Sequence, residues 1–332
     1  MTRVVVCGSI ATDHLMVFPG RFTEHLVSEQ LDRVSLSFLV DELEIRRGGV
    51  GPNICYGLGR LGVGPVLVGA VGADFAEYGQ WLAAHGVDTR GVRISASRHT
   101  ARFVCTTDEA ENQIASFYAG AMAEACEIDL AGVIAEVEGA DIVLIGADDP
   151  AAMVRHTRAC REVGVPFAAD PSQQLARVPG DEVRGLIEGA AYLFGNEYEH
   201  ALLCKRTGWS QAEVLDRVGV WVTTLGAAGV RIEQAGSPPV QVPAVPATVV
   251  DPTGGGDAFR AGFLAARSWG FELADAARVG CAMATEAIEG RGGQGYRVEA
   301  ELFTPRFAAA YGAAAARRLA DRLATTAVPA AG

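Results

Sequence analysis

A three-layer α/β/α fold, with a mostly parallel central sheet between helices, is the architecture that this sequence predicts, on three observations. Apolar runs of strand length recur at 3–7, 65–71, 141–147, 165–170 and 189–196, with helical patterns between them. Repeated strand-then-helix units build a parallel sheet covered on both faces. The first of these runs, VVVC, is continuously apolar and β-branched rather than alternating, as a strand buried on both faces must be. Finally, 332 residues with 49% hydrophobic and 20% charged side chains are enough for a substantial core, and no repeat, low-complexity linker or charge run divides the chain.

Taken in order, the run 3–7 ends in Gly8-Ser9, and Asp13 follows just past it. Open α/β sheets place ligand groups at the carboxyl ends of their strands. From 14 to 47 the pattern is neither strongly helical nor that of a core strand, although 34–40 alternates like an extended segment with one apolar face. The segments 101–107 and 113–118 flank the polar turn 108–112, which predicts a hairpin. These two β excursions can pair into a small lid, giving a core of 1–13, 48–98 and 119–332 with a lid of 14–47 and 99–118. Between them stands Arg47-Gly48-Gly49-Val50-Gly51-Pro52-Asn53, followed by a helical pattern through Ile54, Leu58 and Leu61. Gly48 and Gly49 let the backbone approach a ligand closely, and Asn53 can donate and accept hydrogen bonds. Pro65 to Val71 leads through a Gly72-Ala73-Asp74 turn to a helix over 77–85, and an Ala-rich helix over 308–323 precedes the tail.

Later strand ends carry further marks. Asp170-Pro171-Ser172-Gln173-Gln174 closes one strand with two adjacent amides able to read a polar heterocycle edge, and Asn196-Glu197-Tyr198-Glu199 closes the next. Trp221 to Gly229 reads as a strand ending in a glycine hairpin. Gly290, Gly292 and Gly295 formally fit a dinucleotide fingerprint, but they follow the helical segment 273–289, and that fingerprint needs strand, turn and helix in order.

The most informative stretch is 251–264, DPTGGGDAFRAGFL, read as a strand end led in by Thr248, Val249 and Val250, a glycine turn and a helix start. Gly254, Gly255 and Gly256 release the backbone, so that successive N–H groups point into one concavity at the positive end of the helix, which suits an anion. Asp257 opens the helix inside it, where the same N–H groups and dipole favour its ionised form. The result is a base beside an anion cradle. Alone, the same residues are as readily a helix cap and a packing turn.

Composition removes other functions. A net charge of −12 argues against nucleic acid as the main partner, because phosphate backbones are bound by excess Lys and Arg. The seven cysteines are scattered, odd in number and never paired as C-x-x-C, which indicates neither a disulfide framework nor a zinc site and points to the reducing cytoplasm. No apolar run approaches about 18 residues and the N-terminus runs straight into a strand, so neither a membrane span nor a signal peptide is expected. Lys205 is the only lysine and sits in no glycine loop, which excludes a Walker-type P-loop and leaves phosphoryl transfer to amides, arginines and metal.

Asp251, Thr253, the three glycines and Asp257 together resemble the second signature of the ribokinase (PfkB) family of sugar and nucleoside kinases. Gly48, Gly49 and Asn53 resemble the first, with Pro52 as a departure that could shift the helix start; Asn196 and Glu199 match an N-x-x-E motif; and Thr224, Gly226 and Gly229 match T-x-G-x-x-G. The resemblance implies a ribokinase-like fold whose lid closes over the acceptor and can pair two copies into a homodimer. It implies Asp257 as base, with the amides of Gly254, Gly255 and Gly256 as anion hole. Ser9, Asp13, Ser37, Gly48, Gly49 and Asn53 then contact the acceptor, and Asn196, Thr224, Gly226 and Gly229 contact ATP. Glu199 organises Mg²⁺ through water, as suits an ion that keeps its hydration shell. Asp251 and Thr253, with the loop 290–295, hold a monovalent cation, K⁺, in many members.

The segments 8–16, 18–22, 34–41, 99–107, 114–118 and 168–177 look like those of actinobacterial adenosine kinases. That resemblance implies 5′-phosphorylation of adenosine by ATP, giving AMP and ADP, in purine salvage. Phe103 and Phe117, on the two arms of the hairpin, would stack on the base while Gln173 hydrogen-bonds its edge. Ribose, fructose, inosine and guanosine stay open as acceptors. A non-catalytic sensor built on the kinase fold would be supported by loss of Asp257 or the anion hole, and both are present.

Overall fold

The structure is a computed structural model that describes residues 3–26, 32, 33 and 35–325. Its strands are β1 (Val4–Cys7), β2 (Ala11–Val17), β3 (Glu42–Gly48), β4 (Val66–Val71), β5 (Val92–Ile94), β6 (Ala101–Thr107), β7 (Gln113–Tyr118), β8 (Ile142–Ile145), β9 (Phe167–Ala169), β10 (Tyr192–Asn196), β11 (Val220–Thr224), β12 (Val230–Glu233) and β13 (Val240–Val242). Its helices are α1 (Val50–Arg60), α2 (Ala76–Ala84), α3 (Leu130–Glu136), α4 (Pro150–Val163), α5 (Gly180–Ile187), α6 (Glu197–Thr207), α7 (Gln211–Leu215), α8 (Gly255–Ser268), α9 (Leu273–Glu289), α10 (Ala300–Tyr311) and α11 (Ala313–Thr325).

Nine strands form one sheet in the order β13-β12-β11-β10-β9-β8-β1-β4-β5, parallel from β11 to β5 and antiparallel at the β12 and β13 edge. The first strand shows why it is continuously apolar. Val4 and Val6 pack into one hydrophobic cluster and Val5 and Cys7 into the other, on the opposite face. Each such fully buried valine contributes roughly 1.5–3 kcal/mol over an exposed one.

A second sheet, in the order β3-β2-β6-β7, stands beside the carboxyl end of β1. Its register sets Arg46, Asp13, Phe103 and Phe117 in one row across the four strands, on one face. The alternating segment expected over 34–40 is not its strand. Residues 35–40 form no ladder, Phe38 packs on the rings of Phe18 and Phe22 at 4.9 Å from each, and Val34 lies outside the described residues. The pairing strand is β3, whose sequence ELEIRRG is mostly exposed and so carries no apolar signal.

Three further expectations are corrected. Thr248, Val249 and Val250 are not a strand: Val249 and Val250 are exposed, prolines at 243 and 246 remove ladder donors, and the N–H groups of Val250 and Asp251 both donate to Ile288 O at the end of α9. The helix over 308–323 is two helices, α10 and α11, separated by Gly312 with φ +89°. Pro52 does not displace the start of α1, because it occupies the first turn, where its missing N–H has no intrahelical acceptor anyway.

Candidate active site

The carboxyl ends of the parallel strands and the N-termini of α1, α6 and α8 meet at two cavities of about 500 Å³ and 810 Å³. Asp257 stands in the wall of both.

The smaller cavity is lined by Ser9, Asp13, Gly48, Gly49, Asn53, Phe117, Gln173 and Thr253, among others. Close approach makes the glycines necessary. A Cβ on Gly48 would come 2.9 Å from Asp13 Oδ2, and one on Gly49, at φ +96°, would come 2.4 Å from Ser9 O. Burial pushes the Asp13 carboxyl above its ordinary range, Arg46 opposes this and Asp251 adds to it. Gln173 and Gln174 both line the cavity, and Gln174 Nε2 is engaged in the fold, donating to Asp148 O at 2.8 Å. The structure does not bring Ser37 to the site: it is exposed in the irregular segment 35–40, which the Phe38 contacts hold away from both cavities. Phe103 shares the row of Asp13 and Phe117 but does not line the cavity.

The larger cavity is lined by Asn196, Glu199, Thr224, Gly226, Gly229 and the turn Gly254, Gly255, Gly256, with Val245, Val249, Ala284 and Ile288 on an apolar side. Asn196 and Glu199 form a reciprocal capping box at the start of α6: Asn196 Oδ1 accepts from Glu199 N, and Glu199 Oε2 accepts from Asn196 N, each at 2.9 Å. Ser172 Oγ donates to Glu199 Oε1 at 3.0 Å. Each carboxylate oxygen thus carries one protein hydrogen bond and keeps a lone pair, a donor set that fits a hydrated Mg²⁺ held through water.

Only Gly254 of the three glycines has a left-handed backbone, at φ +79°, and it starts α8; Gly255 and Gly256 are helical. Gly255 is required for a different reason: a Cβ there would meet Ile288 Cγ2 at 2.7 Å. No side chain caps α8, which leaves first-turn N–H groups at the larger cavity.

The expectation that these N–H groups hold Asp257 ionised is overturned. Burial pushes its carboxyl up to about 7, outweighing the hydrogen bond from Asn53 Nδ2 to Oδ2 (2.9 Å) and the charge of Arg260; Asp170 and Glu199 push the same way as burial. A carboxyl poised there is matched to general-base work at neutral pH.

Sequence reasoning missed four partners. Arg260, one turn beyond Asp257, is buried and pairs bidentately with buried Asp170, Nε to Oδ2 at 2.5 Å and Nη2 to Oδ1 at 2.8 Å, while Nη1 donates to Gly256 O at 3.0 Å. The available signal was an arginine amid the apolar residues of α8 and an acid at the end of β9. Gln294 and Trp81 stand behind Asn53 and gave no signal of their own. Arg46 fills the loop expected to hold a monovalent cation: its Nη1 donates to Asp251 Oδ2 at 3.0 Å, Gly292 N donates to the same oxygen at 2.9 Å, and Thr253 N donates to Oδ1 at 3.0 Å. Among the described residues no group of three or more His, Cys, Asp or Glu could hold a metal ion. The cysteines described are all free, and no described helix is long and apolar enough to cross a membrane.

The chain is similar to several known kinases. It is 28% identical over 287 residues to a nucleoside kinase of Methanothermobacter thermautotrophicus, covering 86% of this chain and 92% of that one. It is likewise 28% identical over 300 residues to ribokinase of Bacillus subtilis, covering 89% and 96%. The solved structure of Burkholderia thailandensis nucleoside kinase in complex with inosine superposes with a TM-score of 0.80 at 37% identity, over 93% of this chain and 98% of that one. The model of the pfkB family carbohydrate kinases matches residues 1–299. By that match and that fold, the chain belongs to the pfkB family of carbohydrate kinases, and it is a kinase of ribokinase-like architecture.

Proposed function

We propose that the chain transfers the γ-phosphoryl of ATP to the 5′-hydroxyl of a purine nucleoside, with adenosine as first acceptor, giving AMP and ADP. The observation that carries this reading is the place of Asp257 in the wall common to both cavities, since in-line transfer needs one group that reaches acceptor and donor together. Asp13 and Asn53 hold the ribose hydroxyls, and Asp257 takes the proton of the attacking 5′-hydroxyl. First-turn amides of α8 meet the charge on the moving phosphoryl. Arg260, anchored by Asp170, holds Gly256 O and so fixes the turn. Glu199 would hold Mg²⁺ through water, and the ion would supply charge neutralisation of the donor phosphates.

Base identity rests on two residues of the smaller cavity. Phe117 offers a stacking face, and the Gln173 amide offers a donor and an acceptor, which suits adenine and, with the amide turned over, hypoxanthine. Inosine is therefore the second acceptor in this reading, and the Burkholderia kinase that holds inosine supports it. Three narrower proposals go with it. Arg46 supplies the positive charge beside Asp251, so K⁺ is dispensable. Two copies pair through the outer face of the small sheet, the lid, where Leu43, Ile45, Ile114 and Tyr118 are exposed on the side away from Asp13. The seven cysteines, free in the structure, suit the cytoplasm.

A coupled assay of ADP release against adenosine, inosine, guanosine, ribose and fructose tests the main reading. The expected order puts the purine nucleosides at least about tenfold above both sugars in kcat/KM, the worth of one stacked base. Ribose or fructose as the best acceptor overturns the nucleoside assignment, and no release with any acceptor favours a sensor.

A further inference from the structure

We propose that Trp81 and Gln294 are positioning residues for phosphoryl transfer: a chain of hydrogen bonds, Trp81 to Gln294 to Asn53 to Asp257, sets which end of the Asn53 amide meets the base. The inference rests on the reading of Asp257 as that base.

An indole N–H can only donate, so the atom that Trp81 Nε1 meets at 3.1 Å must be the amide oxygen of Gln294, Oε1. Gln294 Nε2 is then the donor. It gives to Asn53 Oδ1 at 3.0 Å and to Tyr78 Oη at 2.5 Å, and Tyr78 passes its own proton to Gly48 O at 2.9 Å. With Oδ1 engaged, Asn53 has only Nδ2 left to present to Asp257 Oδ2, at 2.9 Å. Two groups with no alternative set the same orientation: the Trp81 indole, which can only donate, and Gly48 O, which can only accept and so leaves Tyr78 Oη to accept from Gln294.

Without the Gln294 donor, the Asn53 amide is free to turn over and set its oxygen against a carboxylate. The parts come from four places in the sequence: Trp81 and Tyr78 on α2, Asn53 on α1, Asp257 on α8 and Gln294 in the loop after α9. Asn53, Tyr78 and Gln294 are all buried. The loop gets this close because residue 293 is glycine; a Cβ there would lie 2.5 Å from Asn53 Nδ2. On its far side the chain is covered by Arg47 of β3, whose guanidinium sits 4.4 Å from the Trp81 ring centre. The glycine-rich run 290–295, which fits neither a dinucleotide site nor an open cation loop, thereby acquires a role.

Hydrogen bonding from Asn53 stabilises the ionised base, so its loss raises the pH at which Asp257 titrates. The other groups facing Asp257 are Arg260 on α8, Asp170 after β9, Glu199 on α6 and the Tyr296 hydroxyl, and the variants below replace none of them. Trp81→Phe removes the indole donor, keeps an aromatic ring and leaves the Tyr78 anchor of Gln294 in place. Gln294→Glu keeps an acceptor for the indole and loses the donor to Asn53, and Gln294→Met loses both.

In both Gln294 variants the acid limb of the kcat/KM profile is expected to move up by about 0.5–1 pH unit, the worth of one hydrogen bond, and in Trp81→Phe by less, because Tyr78 still orients the amide. At a pH below the limb this is a loss of about 3- to 10-fold, shrinking above it. In Gln294→Met the Trp81 indole ¹⁵N–¹H resonance should also shift, while those of Trp209, Trp221 and Trp269 stay in place. Packing alone would lower Tm and leave the limb where it was. If Asp257→Asn in the same series keeps near wild-type turnover, the base reading fails and takes the premise with it. If Asp257→Asn is inactive while all three variants keep the wild-type limb and the indole resonance does not move, the relay itself is overturned.

Discussion

Replacing Asp257 by asparagine separates its two burdens, chemistry and burial. Asparagine has the same shape and can still accept from Asn53, but it cannot take a proton. Turnover should fall by roughly 10² to 10⁴, the usual worth of a positioned base, with nucleoside and ATP binding nearly intact by calorimetry. The wild-type kcat/KM should rise with pH through about 7, where burial has pushed the carboxyl, and lose about tenfold for each unit below it. The same burial has a cost in stability. A folded carboxyl at about 7 against an ordinary 3.8 is about three units, about 4 kcal/mol as a ceiling and about half that once solvent in the two open cavities is allowed for. The sign is that of a raised acid: the penalty is absent below about 3.8, grows as pH rises, and is complete above about 7. Asp257→Asn should therefore unfold at a higher temperature than wild type at pH 8 and at nearly the same temperature near pH 4. Steady-state kinetics and thermal melts across that range check both halves. A variant retaining more than about a tenth of wild-type turnover would remove Asp257 from the base role. An acid limb near 4 would mean that the helix N–H groups outweigh burial after all.

Gly254→Ala should lose most turnover and lower Tm, since residue 254 needs φ +79° and a Cβ there would lie 2.5 Å from Gly293 Cα; Gly255→Val should do so through collision with Ile288, and unchanged kinetics in both would mean that the turn does not touch the donor. Phe117→Ala should raise KM for the nucleoside by about tenfold while KM for ATP stays within about twofold, because Phe117 lines only the smaller cavity. A loss of Tm with both KM values unchanged would make Phe117 a packing residue. Replacing K⁺ by choline at constant ionic strength should change kcat by less than about twofold, and Arg46→Met should make turnover depend on K⁺; a wild type that stops without K⁺ would show that Arg46 does not supply the charge.

What could be read from the chain alone was whatever is decided within a few residues. Val4–Cys7 is legible because a strand buried on both faces is continuously apolar, and the hairpin of β6 and β7 because a polar turn separates two apolar arms. β3 is not legible, since an edge strand exposed along most of its length has no composition that distinguishes it from a loop, whereas Phe38 of the segment 35–40 is spent on ring contacts. In the site, the glycines and Asp257 announce themselves as a local backbone device. The pairs that hold them do not, because Arg260 meets Asp170 across 90 residues, Arg46 meets Asp251 across 205 and Gln294 meets Asn53 across 241.

The misjudged charge of Asp257 shows how local and long-range influences compete. N–H groups and a helix dipole beside a carboxylate favour its ionised form, but only by about 0.3–1 kcal/mol at an exposed helix end. Burial opposes them more strongly. The function depends on burial prevailing. A carboxylate held fully ionised by its helix would be a weak base, whereas one raised to about 7 by its surroundings can accept a hydroxyl proton at neutral pH. Asn53 then has the opposite task, keeping that rise from going further, and its hydrogen bond is the one that Trp81 and Gln294 orient. The base is tuned between a burial that raises it and the Asn53 amide and Arg260 charge that restrain it.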